Sequence, residues 1–293
     1  MIRDASTVAE AIERVAGAGV TIVSERPISG GCIADGRRVE LSNGGSYFLK
    51  RSAGLPPQMF VAEAVGLEAL GECAGPRVPR VAAVHAADHG SFILMEWIEQ
   101  GSRRPGFARE FGTQLAALHR TRRVGRFGFD TDNFIGSTPQ PNGWMESWHD
   151  FFRERRVGFQ TRLARDRGVI DQTLAEHIDA ILARLEHLLP APEHPSLLHG
   201  DLWGGNYLVD ERGAPVLIDP AVWYGHREAD LAMTELFGGF PSEFYQAYRD
   251  SWPLPDGYSE RAPLYNLYHL LNHANIFGRG YVSSVRSIVE RYR

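Results

Sequence analysis

The chain has little of several things. It has two cysteines in 293 residues, Cys32 and Cys73, too few for a disulfide framework, so free thiols in a reducing cytoplasm are the expectation. No apolar run is long enough to cross a bilayer. The opening "MIRDASTVAEAIERVAGAGV" carries acids and lacks the apolar centre of a secretory signal. Neither sign of charge dominates. The net charge of −5 supplies no basic field for nucleic acid or anionic lipid. No Gly-x-x-x-x-Gly-Lys-Ser/Thr pattern occurs, which argues against a P-loop nucleotide site. With 43% hydrophobic and 23% charged residues, the chain reads as a soluble globular protein with core enough for more than one lobe.

What is present falls into two regimes. The first third alternates strand and helix. "TVAEAIERVAGAG" places Val8, Ile12 and Val15 at helical spacing, closed by glycines. "RPISGGCIADGRRVELSNGGSYFLKRS" reads as strands over 38–41 and 46–51 between Gly-rich turns. "PPQMFVAEAVGLEALGEC" reads as a helix with Met59, Phe60, Glu63, Leu67 and Leu70 near one side. "PRVAAVHAADHGSFILMEWI" reads as two strands around "DHG", with 92–95 a buried strand. Beyond the breaker-rich "QGSRRPG", the seam between lobes, the chain is mainly helical. Stripes form over Phe107, Phe111, Leu115 and Leu118, over Ile178, Ile181, Leu182, Leu185 and Leu189, and over Leu264, Leu267, Tyr268 and Leu271. The segment 129–143, "FDTDNFIGSTPQPNG", reads as a long loop with a possible function.

The chemistry concentrates in "HGDLWGGNYLVDERGAPVLIDP". Its simplest fold pairs "NYLV" with "PVLID" as a hairpin, gathering Asp201, Asn206 and Asp219 at one edge. Phosphoryl transfer needs such a set. One carboxylate orients the attacking hydroxyl and accepts its proton, while an amide and a second carboxylate hold Mg²⁺ through oxygen. The kinase catalytic loop has Asp, then Asn five residues later, then a metal-binding Asp after a strand. Upstream, "YFLKRS" offers Lys50 for the nucleotide phosphates, and the next helix offers Glu63, or less suitably Glu68, to hold that lysine. "ISGGCIADG" offers backbone N–H groups of Gly30, Gly31 and Cys32 to phosphate. Backbone groups at Glu96, Trp97 and Ile98 could meet an adenine edge. ATP and Mg²⁺ are therefore the expected cofactors.

Each part alone has an ordinary explanation: a turn at Asp219-Pro220, a solvated lysine, a hairpin Gly-Gly, a surface glutamate. Their joint order and spacing favour a kinase. Trp203 could stack on a sugar face or pack under the loop. Asp230 could cap a helix or tie down the catalytic loop. His226, Asn272 and His273 are candidate substrate contacts, although histidines at such places often only bond within the core. Cys73 reads as small apolar filler. Cys32 could be filler too, or a thiol activated by the N–H dipoles of an anion-binding loop.

His199-Gly200-Asp201 has Gly where protein kinases carry the Arg that reads a phosphorylated activation loop, and Asp219-Pro220 replaces Asp-Phe-Gly. These departures resemble aminoglycoside phosphotransferases and choline kinases. "HGDLWGGN", "IDPAVWYGHREADLAMTELFGGF", "LYHLLNHANIFG" and the front segment "SGGCIADGRRVELSNGGSYFLKR" together resemble the fructosamine (ketosamine) kinase family, in order, along nearly the whole chain. The stretch 125–195 resembles it only at scattered positions. The resemblance implies an α+β, protein-kinase-like two-lobe fold: an N-terminal antiparallel sheet lobe with a helix, then a larger, mainly helical C-terminal lobe. The implied division is a nucleotide-binding lobe over 1–98 and a catalytic and substrate-binding lobe over 99–293. It implies ATP-dependent phosphorylation of the 3-hydroxyl of fructosamines, free or on protein lysines. The alternatives are a kinase for another amino sugar, aminoglycoside or amino alcohol, and a nucleotide-binding pseudokinase, against which the presence of Lys50, Asp201, Asn206 and Asp219 argues. The family is also associated with loop-cysteine disulfides that link two subunits, which would make Cys32 a redox site and the protein a monomer or a redox-linked homodimer.

Overall fold

The computed structural model describes residues 5–28, 34–87 and 90–293. Gly30, Gly31 and Cys32 lie outside the described residues. By packing, the chain forms two compact units, Met1–Phe107 with Asn206–Pro220, and Ala108–Gly205 with Ala221–Arg293.

The first unit is built on a five-stranded antiparallel sheet. Helix α1 (Val8–Ala16) precedes strands β1 (Ile22–Pro27), β2 (Asp35–Leu41) and β3 (Ser46–Ser52). Helix α2 (Gln58–Gly71) and strands β4 (Val81–His85) and β5 (Ser91–Glu96) follow, and the strand order is β1-β2-β3-β5-β4. Thr7 caps α1 by accepting from the Glu10 N–H at 3.1 Å. Gly44, at φ 83°, makes the left-handed turn from β2 to β3. The sheet has an apolar layer on each face. Val39, Leu41, Leu49, Ala83 and Leu94 pack with Ala11 and Ile12 of α1. Val84, Ile93 and Met95 pack with Phe60, Ala64 and Leu67 of α2, and Phe48 joins that second layer. Because side chains alternate along a strand, Leu49 and Phe48 face opposite ways, and Lys50 shares the α2 side with Phe48.

In the second unit, α3 (Phe107–Arg120) leads to a small hairpin, β6 (Asn133–Ile135) and β7 (Thr138–Gln140). Then come α4 (Trp148–Phe151), a π-helical turn over Phe152–Val157, α5 (Gly158–Asp166), α6 (Gln172–Leu182) and α7 (Leu185–Leu188). The chain continues with β8 (Ser196–Leu198), β9 (Tyr207–Val209), β10 (Pro215–Leu217) and β11 (Trp223–Gly225). It closes with α8 (Glu228–Leu236), α9 (Ser242–Ser251), α10 (Tyr258–Phe277) and α11 (Val282–Tyr292). Of these, β9 and β10 belong by packing to the first unit. The core gathers Trp148, Phe151, Phe152, Ile178, Leu198, Trp223, Tyr265, Leu267 and Leu271. Among the described residues no helix is long and apolar enough to cross a membrane.

Two expectations need correction. The stripe from Ile178 to Leu189 is two helices, because the Leu182 carbonyl accepts from Arg153 Nε at 2.9 Å and the helix breaks there. The segment 129–143 is no open loop. Its hairpin buries Asn133, which donates to the Val222 carbonyl at 2.8 Å, and Gln140, which donates to the Ala221 carbonyl at 3.1 Å.

Helices α3 and α9 meet at Gly112, where an added Cβ would stand 2.1 Å from the Phe244 carbonyl oxygen. In a free helix Ala would be favoured over Gly by about 1 kcal/mol, but the overlap outweighs that. Gly112→Ala is expected to lower unfolding free energy by about 2 kcal/mol in a urea titration. An unchanged or raised midpoint would contradict the close approach.

Candidate active site

In the first unit, the strand alternation that sends Lys50 to the α2 side sets the site. Lys50 Nζ donates to Glu63 Oε1 at 2.7 Å and also bonds the Asp219 carboxylate. Lys50 and Glu63 side chains are each 13% exposed and Asp219 43%. Burial alone pushes the Lys50 ammonium down, but the charges of Asp219 and Glu63 outweigh it and raise its pKa, so the lysine stays charged. Burial pulls the Glu63 carboxyl up, and Asp219 adds to this while Lys50 opposes it. The lysine–glutamate pair read from the sequence is therefore formed, and Glu63 is the glutamate that forms it.

Asp219 reaches this cluster from β10. Strands β9 and β10 pair antiparallel with Tyr207 opposite Leu217, and the Ile218 N–H donates to the Asn206 carbonyl at 3.1 Å. One residue past that bond sits Asp219. The hairpin thus brings Asn206 and Asp219 to one end, as the sequence spacing suggests. Asp219 has φ 55°, the positive-φ non-glycine among the described residues. For an L-residue that conformation costs roughly 1–2 kcal/mol, less for Asp, and such outliers gather at functional sites. The hairpin is fastened to the rest of its unit through Arg77. The Arg77 carbonyl accepts from the Leu217 N–H at 2.8 Å, and its guanidinium bonds Asp210 at 3.2 Å.

The donor set suits a hard cation. Asp219 and Asn206 offer a carboxylate and an amide oxygen, and Lys50 already supplies a positive charge against Asp219. Counting formal charges, Lys50, Glu63 and Asp219 leave one negative charge unbalanced. Among the described residues there is no cluster of three or more His, Cys, Asp or Glu side chains shaped for a metal. A metal here would therefore draw remaining ligands from a nucleotide and water, as Mg²⁺ does.

The nearby β5 end is partly committed. The Glu96 carboxylate bonds Arg77 and the Arg80 N–H, and its own N–H donates to the Arg80 carbonyl at 2.9 Å. Its side chain and N–H are therefore already engaged within the unit. The Trp97 indole donates to Glu99 at 2.8 Å under the Arg38 guanidinium, and Ile98 is buried.

In the second unit, β8 runs into His199-Gly200-Asp201. Buried Asp230, on α8, accepts from the His199 N–H at 2.7 Å and the Gly200 N–H at 2.9 Å. It also accepts from His119 Nε2 at 3.2 Å, whose Nδ1 meets the Tyr248 hydroxyl at 2.9 Å. Burial would raise the Asp230 carboxyl, yet hydrogen bonds from His119 and Gly200 and the His119 charge bring it below the usual carboxylate range. Of the two roles open in the sequence, Asp230 takes the tie. Gly200 has a steric reason to be glycine: its φ is 83°, and a Cβ would stand 1.9 Å from the Ala221 carbonyl oxygen. The Asp201 N–H donates to His199 Nδ1 at 3.3 Å. Trp203 is 39% exposed, and its ring lies against Gly205, where a Cβ would stand 2.4 Å from it.

Two substrate candidates are corrected. His226 is 3% exposed, accepts from the Glu228 N–H at 3.2 Å, and burial pushes its pKa down to about 3, so it is a core histidine at the start of α8. Asn272 is also buried, accepting from Gln160 at 3.2 Å and donating to the Ile135 carbonyl at 3.4 Å. His273 is half-buried, with its ring against Phe237. Sequence reasoning missed His119, Arg77 and Gln140. His119 lies in a helical stripe whose other members are apolar, a polar interruption that could have flagged it.

Residues 4–293 match the family described as fructosamine kinase. The chain is 42% identical, over 97% of its length and 95% of the relative's, to a Synechocystis protein named provisionally a ketoamine kinase. It is 42% identical, over 90% of its length and 81% of the relative's, to the chloroplastic protein-ribulosamine 3-kinase of Arabidopsis thaliana. A crystal structure from Thermobifida fusca, provisionally a fructosamine-3-kinase, superposes with a TM-score of 0.86 at 36% identity, covering 98% of this chain and 99% of that one. The fold class is the protein-kinase-like one expected, an antiparallel sheet unit and a helical unit.

Asp230→Ala would strand three buried donors, and is expected to cost about 3 kcal/mol in chemical denaturation. A loss within about 0.5 kcal/mol, the range of neutral surface changes, would contradict the tie. Because the folded pKa is depressed, this stabilisation is present above the unfolded value near pH 4 and is lost as the pH falls through the folded value.

Proposed function

We propose, from the premise that the chain belongs to the fructosamine kinase family, that it transfers the γ-phosphoryl group of ATP to the 3-hydroxyl of ketosamines. The observation that carries the reading is the Lys50 ammonium held between Glu63 and Asp219. A lysine fixed by a helix glutamate and reaching the metal-binding aspartate is the phosphate-holding device of kinases.

Roles follow from residue chemistry. Asp201 accepts the proton of the attacking hydroxyl, whose oxygen bonds the γ-phosphorus while the bond to the ADP oxygen breaks. Lys50 neutralises phosphate oxygens, and Glu63 keeps it in place. Asn206 and Asp219 would hold Mg²⁺, which when bound offsets charge on the transferred group. From the sequence, Gly30, Gly31 and Cys32 would offer backbone N–H groups to the phosphates, and backbone groups at Glu96, Trp97 and Ile98 would meet the adenine. Trp203 stacks on the sugar. Nucleotide binding thus falls to 1–98, and catalysis and acceptor binding to 99–293. A redox role for Cys32, in a monomer or a disulfide-linked pair, belongs to the same proposal.

The product explains the purpose. Enolisation of the amino ketone makes the C3–O bond allylic, so phosphate leaves and hydrolysis frees the amine. The reaction would reverse glycation of lysines or small amines.

Asp201→Asn is expected to lower kcat on a fructosamine at least about a hundredfold, with Mg·ATP affinity nearly intact by calorimetry. Near-normal turnover would remove Asp201 from the role. Asp219→Asn keeps a side chain that tolerates the left-handed backbone but loses the charge. It should weaken Mg·ATP binding about tenfold or more, as loss of a charged metal ligand implies, and an unchanged affinity would count against the metal site. In a substrate panel, turnover of aminoglycosides or choline without ketosamines would move the activity to another amine-bearing acceptor, and ATP binding without any turnover would make the chain a pseudokinase.

A further inference from the structure

Three parts of the first unit meet on Arg77, which lies between α2 and β4. Its carbonyl accepts from the Leu217 N–H at 2.8 Å, and the residue forms a parallel bridge to Val216. One terminal nitrogen of its guanidinium donates to the Asp210 carboxylate at 3.2 Å, and the other donates to the Glu96 carboxylate. Asp210 closes the turn between β9 and β10, where its other oxygen accepts from the Arg212 N–H at 3.0 Å and the Ala214 N–H at 2.8 Å. Glu96 ends β5. All these residues belong to the first unit, as do Lys50, Asn206 and Asp219.

The β9–β10 hairpin is thereby fixed at both ends. Lys50 holds Asp219 at the open end, and Arg77 holds Asp210 at the turn. A hairpin held at one end can swing about it, and one held at both has a set direction. The second hold also reaches the end of β5, where backbone groups at Glu96, Trp97 and Ile98 meet the base on the nucleotide reading. The Arg77 and Glu96 side chains are 38% and 28% exposed, and an ion pair that wet adds little to stability. Its consequence is geometric. A guanidinium is a planar fork with its two terminal nitrogens at a set spacing, so it holds two carboxylates at a set spacing, which an ammonium on a flexible stem does not.

We propose that Arg77 is a positioning residue that sets the distance between the base contacts at 96–98 and the metal ligands Asn206 and Asp219, so that one Mg·nucleotide engages both. The inference rests on the nucleotide reading of the site and adds how its two halves are held together. Arg77 acts in this role through Glu96 and Asp210. A ligand with two ends binds better than its separate ends only when the protein holds both contact points at the ligand's own spacing. A loosened spacing weakens the joined ligand and spares its parts.

Calorimetry or ligand-observed NMR with three probes tests this: Mg·ADP, adenosine alone and Mg·pyrophosphate. Arg77→Met should bind Mg·ADP at least about fivefold more weakly than wild type, with adenosine and Mg·pyrophosphate each within about twofold of wild type. Arg77→Lys keeps the charge without the fork, and should still bind Mg·ADP at least about threefold more weakly. In both variants Asp210 keeps its two turn N–H groups, and the hairpin keeps the bond from the Gly101 N–H to the Val209 carbonyl at 3.0 Å, so it is loosened without being freed. Wild-type affinity for Mg·ADP in either variant would overturn the inference and leave the kinase reading in place. So would a loss shared by adenosine or Mg·pyrophosphate, which damage to one half-site or a merely structural role would give. Wild type that binds Mg·ADP no better than Mg·pyrophosphate would overturn the nucleotide reading, and the inference with it.

Discussion

One ammonium held between two carboxylates organises the first unit. Lys50 can stay charged in a largely buried place only because Glu63 and Asp219 compensate its desolvation. That requirement reaches backwards into the fold. The alternation of β3 must send Lys50 to the α2 side, the apolar layer of Phe60, Ala64 and Leu67 must seat α2 against the sheet, and the β9–β10 hairpin must end in a residue that accepts a left-handed backbone. Two acids against one base also leave a negative excess, which a bound divalent cation would offset.

The second unit solves a different problem, that of holding a loop still. Asp230 collects the N–H groups of His199 and Gly200 together with His119, and Gly200 gives up its Cβ so that the Ala221 carbonyl can pass. The hairpin of Asn133 and Gln140 holds the Ala221 and Val222 carbonyls from the other direction. By packing, Asp201 belongs to this unit, and Asn206 and Asp219 to the first, the chain crossing between them at 205–206 and 220–221. The five-residue spacing from Asp201 to Asn206 thus spans a crossing that no strand or helix bridges.

Much of this was legible in the sequence, for identifiable reasons. Lys50, Glu63, Asn206 and Asp219 could be read because strand alternation, helix periodicity and hairpin spacing are local rules. The glycine of His199-Gly200-Asp201 was read as a lost regulatory arginine, whereas contact with Ala221 supplies a steric cause that only tertiary structure displays. His226 and Asn272 looked available beside site-like motifs, and are buried because α8 and α10 turn those positions inward. The tie to His119, more than a hundred residues from Asp230 in a helix of otherwise apolar stripe, has no local signal beyond its polarity.

The central claim is that these groups move a phosphoryl group from ATP to the 3-hydroxyl of a ketosamine. A phosphorus NMR time course with the protein, Mg·ATP and a fructosamine tests it most directly. The account predicts loss of the ATP γ signal, growth of a monoester signal coupled to the proton on C3, and then slow conversion of that ester to inorganic phosphate as free amine accumulates. Inorganic phosphate that appears directly, with the fructosamine intact, or an ester on another carbon that persists, would contradict it.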